Sequence, residues 1–252
     1  MINNKMINND LFLNNKIECP SKPWSIDEFK TQINNLQYRY HIYHPLDIYI
    51  MDGKSNKELF QSWVANRYYY QCTIPKKDSA ILSKCDSIEI RREWAKNIND
   101  ADKVNGGIEQ WLNMGIALGL TKEEMNDFRH VLPGVKFACD KYLSFVKETE
   151  LKYAIASCLT VTFATEIHEA RLNNWPKHYD FLTDDVFKYF KNRPHYAKIE
   201  KQFATNYILN NIKIPEEQCK VIEIIKMKQD ILWCILDSIY VYHFTNLYNP
   251  LK

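Results

Sequence analysis

Glycine is the scarcest structural resource in this sequence: six in 252 residues, about a third of the ~7% share usual in globular chains. That is too few for the tight turns of a β protein, and no convincing period-two strand pattern appears. Helix-start signals recur instead. Ser25–Glu28, Ser55–Glu58 and Thr121–Glu124 each read as a capping box, in which a hydroxyl accepts from the third residue's N–H and the glutamate reaches back. Apolar residues return at three and four along Leu59, Trp63 and Tyr70, along Ile155, Leu159, Phe163 and Ile167, and along Ile222, Ile225, Ile231, Ile235 and Ile239. Prolines 45, 133, 176, 194, 215 and 250 fall mostly between these segments. The pattern predicts helices near 26–40, 56–84, 88–100, 108–118, 133–149, 152–174, 184–192, 195–211 and 216–244. Several are long enough for a bundle of antiparallel neighbours. The fold class is all-α.

No Gly/Ser linker or change of composition interrupts residues 25–245, so one helical domain over residues 21–252 is expected. Residues 1–20 carry a Met-Ile-Asn-Asn-Lys/Met-Ile-Asn-Asn-Asp duplication with little apolar surface to bury. They read as a disordered extension, and the duplication allows Met6 as an alternative start. A formal charge of +2 offers no basic face for nucleic acid. The seven cysteines are odd in number and none forms a Cys-x-x-Cys pair. They read as reduced thiols rather than a disulfide framework or zinc site. No apolar run approaches the roughly 18 residues that span a bilayer, and the N-terminus has no signal-peptide core. A cytoplasmic protein with no membrane partner is expected.

Polar side chains interrupt faces that ought to be buried. Arg67, Tyr70 and Gln71 stand at i, i+3 and i+4 on one helix face. His168 and Arg171 share a face of an otherwise apolar segment, Tyr189 and Arg193 stand four apart, and Lys228 lies between Ile224 and Ile231. His41 falls where the first helix should end. Singly, each reads as a snorkelling or hydrogen-bonded core residue. Together, cations with His and Tyr on core-facing stretches suit a pocket for an anionic aromatic ligand. Nucleotide cradles, nucleophile elbows and zinc-protease motifs are absent from the sequence. The Glu-x-x-His pair of di-iron bundles is missing too, because Glu166 and His168 are two apart and diverge around a helix. No metal ligand is assigned.

The run Trp63-Val64-Ala65-Asn66-Arg67-Tyr68-Tyr69-Tyr70-Gln71-Cys72-Thr73-Ile74-Pro75 resembles the pyrroloquinoline quinone synthase (PqqC) family almost residue for residue. So do Tyr38 to Pro45, Gly106 to Leu112, Arg129 to Val135, Trp175 to Tyr179 and Asp230 to Trp233. These stretches stand in family order over residues 38–242. The resemblance implies a seven-helix, haem-oxygenase-like bundle, a homodimer, and closure and oxidation of a quinone precursor by molecular oxygen without metal or organic cofactor. By position it implies Arg67, Lys77, Arg171, Arg193 and Lys228 as basic ligand-binding residues. Tyr40, His41, Tyr70, Gln71, Tyr142 and His168 match further pocket positions, and Tyr189 with Arg193 match part of an oxygen-handling trio. Such chemistry needs histidine and tyrosine to move protons and cations to stabilise carboxylates and developing anions.

Three positions depart from the family. Ala101 stands in place of a catalytic histidine, Asn97 in place of an arginine one turn earlier, and Val161 in place of a pocket glutamate. The cationic half of the site is kept better than its acid–base half. Two readings follow from the resemblance: an oxygen-dependent oxidase of a related polycarboxylate quinol, or a degenerate homologue that binds a quinone or contacts a host protein. A di-iron p-aminobenzoate-type synthase and a TenA-like thiaminase rank below both.

Overall fold

The computed structural model describes residues 19–245, with the side chains of residue 165 and of 193–201 left out. Among the described residues there is no β-strand. The helices are α1 (Ile26–Asn35), α2 (Pro45–Met51), α3 (Lys57–Leu82), α4 (Ile88–Asp102), α5 (Gly107–Ala117), α6 (Lys122–Asn126), α7 (Pro133–Glu148), α8 (Leu151–Ala156), α9 (Ala164–Asn174), α10 (Asp184–Asn211) and α11 (Pro215–Phe244). The all-α class is as expected, but these are eleven α-helices among the described residues rather than seven; α3, α4, α5, α7, α9, α10 and α11 have eleven or more residues. Helix α3 packs against α4, α5 and α7, α10 against α5 and α9, and α11 against α7. The expected extension over residues 1–20 lies outside the described residues apart from its last two.

Local chemistry explains most of the boundaries. The capping boxes at Ser25–Glu28 and Thr121–Glu124 are both formed. The third is corrected: Asn56, not Ser55, caps α3, its side chain accepting from the Leu59 N–H at 2.9 Å. Asn and Ser compete closely as caps, so the sequence pattern picked a neighbour one residue early. The turn before α5 uses Asn105 at φ 57°, a left-handed conformation that asparagine tolerates. A Cβ on Gly106 would lie 2.6 Å from the Lys103 carbonyl oxygen.

Three expected elements are redrawn. The helix predicted over 152–174 is broken into α8, a 3₁₀ stretch Ser157–Phe163, and α9. That stretch is rich in hydroxyl and β-branched residues, which are poor helix formers. Ser157 Oγ donates to the Ala154 carbonyl at 2.6 Å, the local competition that loosens an α-helix. Conversely, α10 runs straight through Pro194, where a break between 192 and 195 was expected. One missing backbone bond does not end a helix anchored by Val186, Phe190, Ala204 and Ile208 in the core. Finally, Leu36–Arg39 and His41–Tyr43 wind as 3₁₀ turns instead of extending α1 to residue 40.

The core divides into two aromatic and aliphatic clusters. One gathers Phe29, Trp94, Tyr142, Ile155 and Ile225, and the other Phe60, Trp63, Trp111, Trp175 and Phe190. Cys19 and Cys219 form a disulfide, with their Cα atoms 5.9 Å apart. The expectation of reduced thiols throughout is thus corrected for this pair. Their separation of 200 residues left nothing in the spacing to reveal it, and the cytoplasmic expectation loses that support. No helix among the described residues is long and apolar enough to cross a membrane.

Asn66 shows how one polar side chain holds the bundle together. Fully buried in α3, it accepts from the Leu132 N–H at 2.9 Å and donates to the carbonyls of Ser62 and His130. It thereby fixes the entry to α7. Asn66→Ala leaves a buried N–H and carbonyl unmet, which costs about 1–3 kcal/mol. Urea denaturation should show a lower midpoint with an unchanged slope.

Candidate active site

Where the two clusters meet, the bundle encloses a cleft of about 1010 Å³ of space that runs out to solvent. Every sequence-predicted site residue whose side chain is described lines it: Tyr40, His41, Arg67, Tyr70, Gln71, Lys77, Tyr142, His168, Tyr189, Arg171 and Lys228. Arg193 is carried by α10, and its side chain lies outside the described residues. Helix α3 alone presents Arg67, Tyr70, Gln71, Ile74, Lys77 and Asp78 to the cleft. These positions recur at three and four, so one rigid rod forms a whole wall. The opposite wall includes Cys158, Thr160 and Val161 of the 3₁₀ stretch.

A buried charge cluster forms one end. His41 Nδ1 lies 2.7 Å from Asp47 Oδ2, and an Arg171 Nη donates to the Asp47 carboxylate at 3.2 Å. All three side chains are at most 3% exposed. Burial would raise the Asp47 pKa, but Arg171, His41 and Arg67 outweigh it and hold the carboxyl well below its ordinary range. Burial pushes the His41 imidazole down to about 4, against the opposing pull of Asp47. His41 is therefore neutral at pH 7. Its Nδ1–H donates to Asp47, and the tautomer is set by that bond. The Arg171 guanidinium also lies 5.0 Å from the Trp63 ring and 5.3 Å from Trp175. An aromatic floor thus supports it by cation–π attraction.

The other cations differ in how they are balanced. Lys77 pairs with its neighbour Asp78 and donates to Cys158 Sγ at 3.4 Å. Burial works against its charge, yet Asp78, Cys158 and Tyr142 raise its pKa well above the usual lysine value. Among the described residues, no carboxylate lies within ion-pair distance of Arg67 or Lys228. Lys228 is 1% exposed, with no hydrogen-bond partner at Nζ, and sits 3.4 Å from the Tyr142 ring centroid and 4.5 Å from that of Tyr70. Burial, with repulsion from Lys77 and Arg67, drives its pKa well below the lysine norm despite the opposing influence of nearby thiols. Arg67 lies 4.9 Å from the Tyr70 ring, with Nε and Nη1 unmet. A buried cation without an anion is costly, so the cleft is electrostatically prepared for a ligand that brings negative charge.

A second lobe adjoins the first and shares Gln71, Ile74, Asp78, Asn97 and Tyr189 with it. Ala101 lines this lobe and Asn97 lines both, while Val161 lines the main cleft. The three positions read from the sequence as departures therefore all border the site. Sequence reasoning missed Asp47, Asp78, Cys158 and Trp94. Asp47 follows Pro45 in a helix's first turn, where an acid ordinarily serves the helix dipole. Asp78 beside Lys77 reads as a surface pair. Only the fold shows that both acids are buried.

Known proteins share this fold. The fold matches a TenA homologue from Pseudomonas syringae pv. tomato, with a TM-score of 0.70 and 15% identity over 90% of this chain and 97% of the other. It also matches a haem-oxygenase-like domain of unknown function from Shewanella denitrificans, with a TM-score of 0.71 and 13% identity over 87% and 93%. The chain belongs to the TENA/THI-4/PQQC family, whose sequence pattern matches residues 31–238. Within it, the chain is similar to the pyrroloquinoline-quinone synthase of Cronobacter sakazakii, at 40% identity over 84% of this chain and 86% of that one. It is 38% identical to the synthase of Acinetobacter baumannii strain ACICU, over 87% and 88%.

The charge cluster makes the fold acid-sensitive. The folded-state pKa of His41 lies below its unfolded value near 6.5, so the unfolded chain binds the extra proton between about pH 6.5 and 4. Stability should fall as pH drops through that window, with Asp47 adding a further loss at lower pH. Replacing His41 by Gln should shallow the decline when melting temperature is followed from pH 7 to 4.5. Asp47→Ala strands Arg171 and should cost about 3–5 kcal/mol at pH 7.

Proposed function

We propose that this protein is an oxygen-dependent oxidase acting on a pyrroloquinoline quinone precursor or a closely related polycarboxylate quinol. The observation that carries the reading is the pair of buried cations, Arg67 and Lys228, that have no carboxylate partner among the described residues, in a cleft also lined by Lys77 and Arg171. A polycarboxylate supplies the missing anions, and the tyrosine rings beside both cations suit a flat aromatic body. Family membership and relatives named as synthases support the same ligand class.

In this reading, oxidation removes two electrons and two protons from the quinol, and molecular oxygen takes both to become hydrogen peroxide. Asp47 holds Nδ1 of His41, which leaves Nε2 as the nitrogen for proton exchange. Nearby His168 is the second proton carrier, and Tyr142 donates or accepts through its hydroxyl. Arg67, Lys77, Arg171 and Lys228, with Tyr40, Tyr70 and Gln71, fix the carboxylates and ring edges. Tyr189 and Arg193 attend the oxygen. The reaction uses neither metal nor organic cofactor, and the working form is a homodimer without a nucleic-acid or membrane partner. Anaerobic mixing with the precursor followed by oxygen should yield a quinone spectrum and peroxide. Turnover that needs near-stoichiometric iron or manganese and is lost to a chelator would overturn the metal-free part. A monomer by light scattering would overturn the dimer.

Ala101, Asn97 and Val161 favour a second reading, a quinone-binding homologue that has lost proton-handling groups. Titration calorimetry with the quinone separates the two: binding without turnover supports the carrier, and no binding supports a protein-contact role. Restoring Ala101→His, Asn97→Arg and Val161→Glu together should raise oxidase activity at least about tenfold, a modest share of the 10²–10⁴ that one proton-transfer group supplies. Val161 lines the same cleft as Arg171 and Lys228, so the new glutamate has cations there to offset its burial. A folded, quinone-binding triple variant with no gain would decide for the carrier.

A further inference from the structure

One reactive group in the cleft has no place in the proposed oxidation. Cys158 sits on the 3₁₀ stretch opposite α3, lining the cavity between Lys77 and Tyr142. Its sulfur receives a hydrogen bond from Lys77 Nζ at 3.4 Å and lies 3.7 Å from the Ala154 carbonyl oxygen. The independent sign that a ligand comes here is Lys228, which lines the same cavity at 1% exposure with Nζ unmet. A cleft that collects anionic aromatics thus brings them against a thiol.

We propose that Cys158 is a covalent capture site for electrophilic, carboxylated quinones. This rests on the quinone reading of the cleft. Sγ adds to an open ring carbon of the bound quinone, forming one S–C bond while the electron pair moves into the conjugated carbonyl. The thiol proton goes to that carbonyl oxygen, and the displaced ring proton goes to the second oxygen. The product is the thioether of the hydroquinone and holds every atom of both partners, so no outside oxidant or reductant takes part.

The surroundings favour the step. Burial pushes the thiol's pKa up, and Lys77 is the strongest influence in the opposite direction. The thiolate character that attack needs is supported by the Lys77 ammonium at the moment of reaction. Lys228, electrostatically coupled to this sulfur, draws the quinone's carboxylate into the cavity beside it. A quinol offers no electrophilic carbon, so the thiol distinguishes the oxidised from the reduced form. Capture would mark a site in which a quinone has lingered.

The test uses the full chain and 2-carboxy-1,4-benzoquinone, an anionic quinone with open ring positions, at less than one equivalent. Binding is followed by quenching of tryptophan fluorescence, since Trp94 lines the cleft. Peptide mass spectrometry locates the adduct. The expected result is a single adduct of the whole quinone mass on Cys158, ahead of the exposed Cys234. Cys158→Ser and Cys158→Ala should both lose it while still quenching, and Lys228→Met should slow it about tenfold or more. Quenching with no adduct at Cys158, or labelling that begins at Cys234, overturns the capture site and leaves the quinone reading standing. Absence of both quenching and adduct overturns the two together.

Discussion

The buried triad of His41, Asp47 and Arg171 ties the site to the fold. One carboxylate is shared by a histidine from the 3₁₀ turn before α2 and an arginine from α9. Neither element is long or apolar enough to locate the other by hydrophobic packing alone. The carboxylate is affordable because it satisfies two partners, and Arg171 because aromatic faces support it as well. Asp47 thus positions both a histidine and an arginine while itself remaining ionised.

From that anchor the electrostatics of the cleft follow. Two cations, Arg171 and Lys77, carry their own carboxylates, whereas Arg67 and Lys228 are left to tyrosine rings. The paired cations hold shape, and the others hold open a preference for an anion. Distinct roles within one set of basic residues come from their neighbours rather than from their chemistry.

The all-helical class was legible because it depends on short-range signals: scarce glycine, two true capping boxes and apolar spacing. The cleft was legible in its cations and aromatics, since Arg67, Tyr70 and Gln71 share a helix face and Lys228 interrupts an apolar one. Its acids were not. Asp47 and Asp78 carry the local signature of surface residues, and their burial is decided by elements distant in sequence. The split of 152–174 escaped notice for a related reason. A run such as Leu159, Phe163 and Ile167 keeps helical spacing whether it winds as α or partly as 3₁₀. The Cys19–Cys219 link spans nearly the whole chain and left no trace in spacing.

The winding of residues 157–163 has a consequence for how such a protein diversifies. Helix α3 offers its cleft-lining groups on a single α-helix whose backbone bonding is interrupted at Pro75, and a change of one surface residue leaves the rest in register. The 3₁₀ wall is a looser stretch with weaker backbone bonding, and it holds Cys158 and Val161. A substitution on the 3₁₀ wall can therefore reshape the cleft without dismantling the charge pattern that α3 presents.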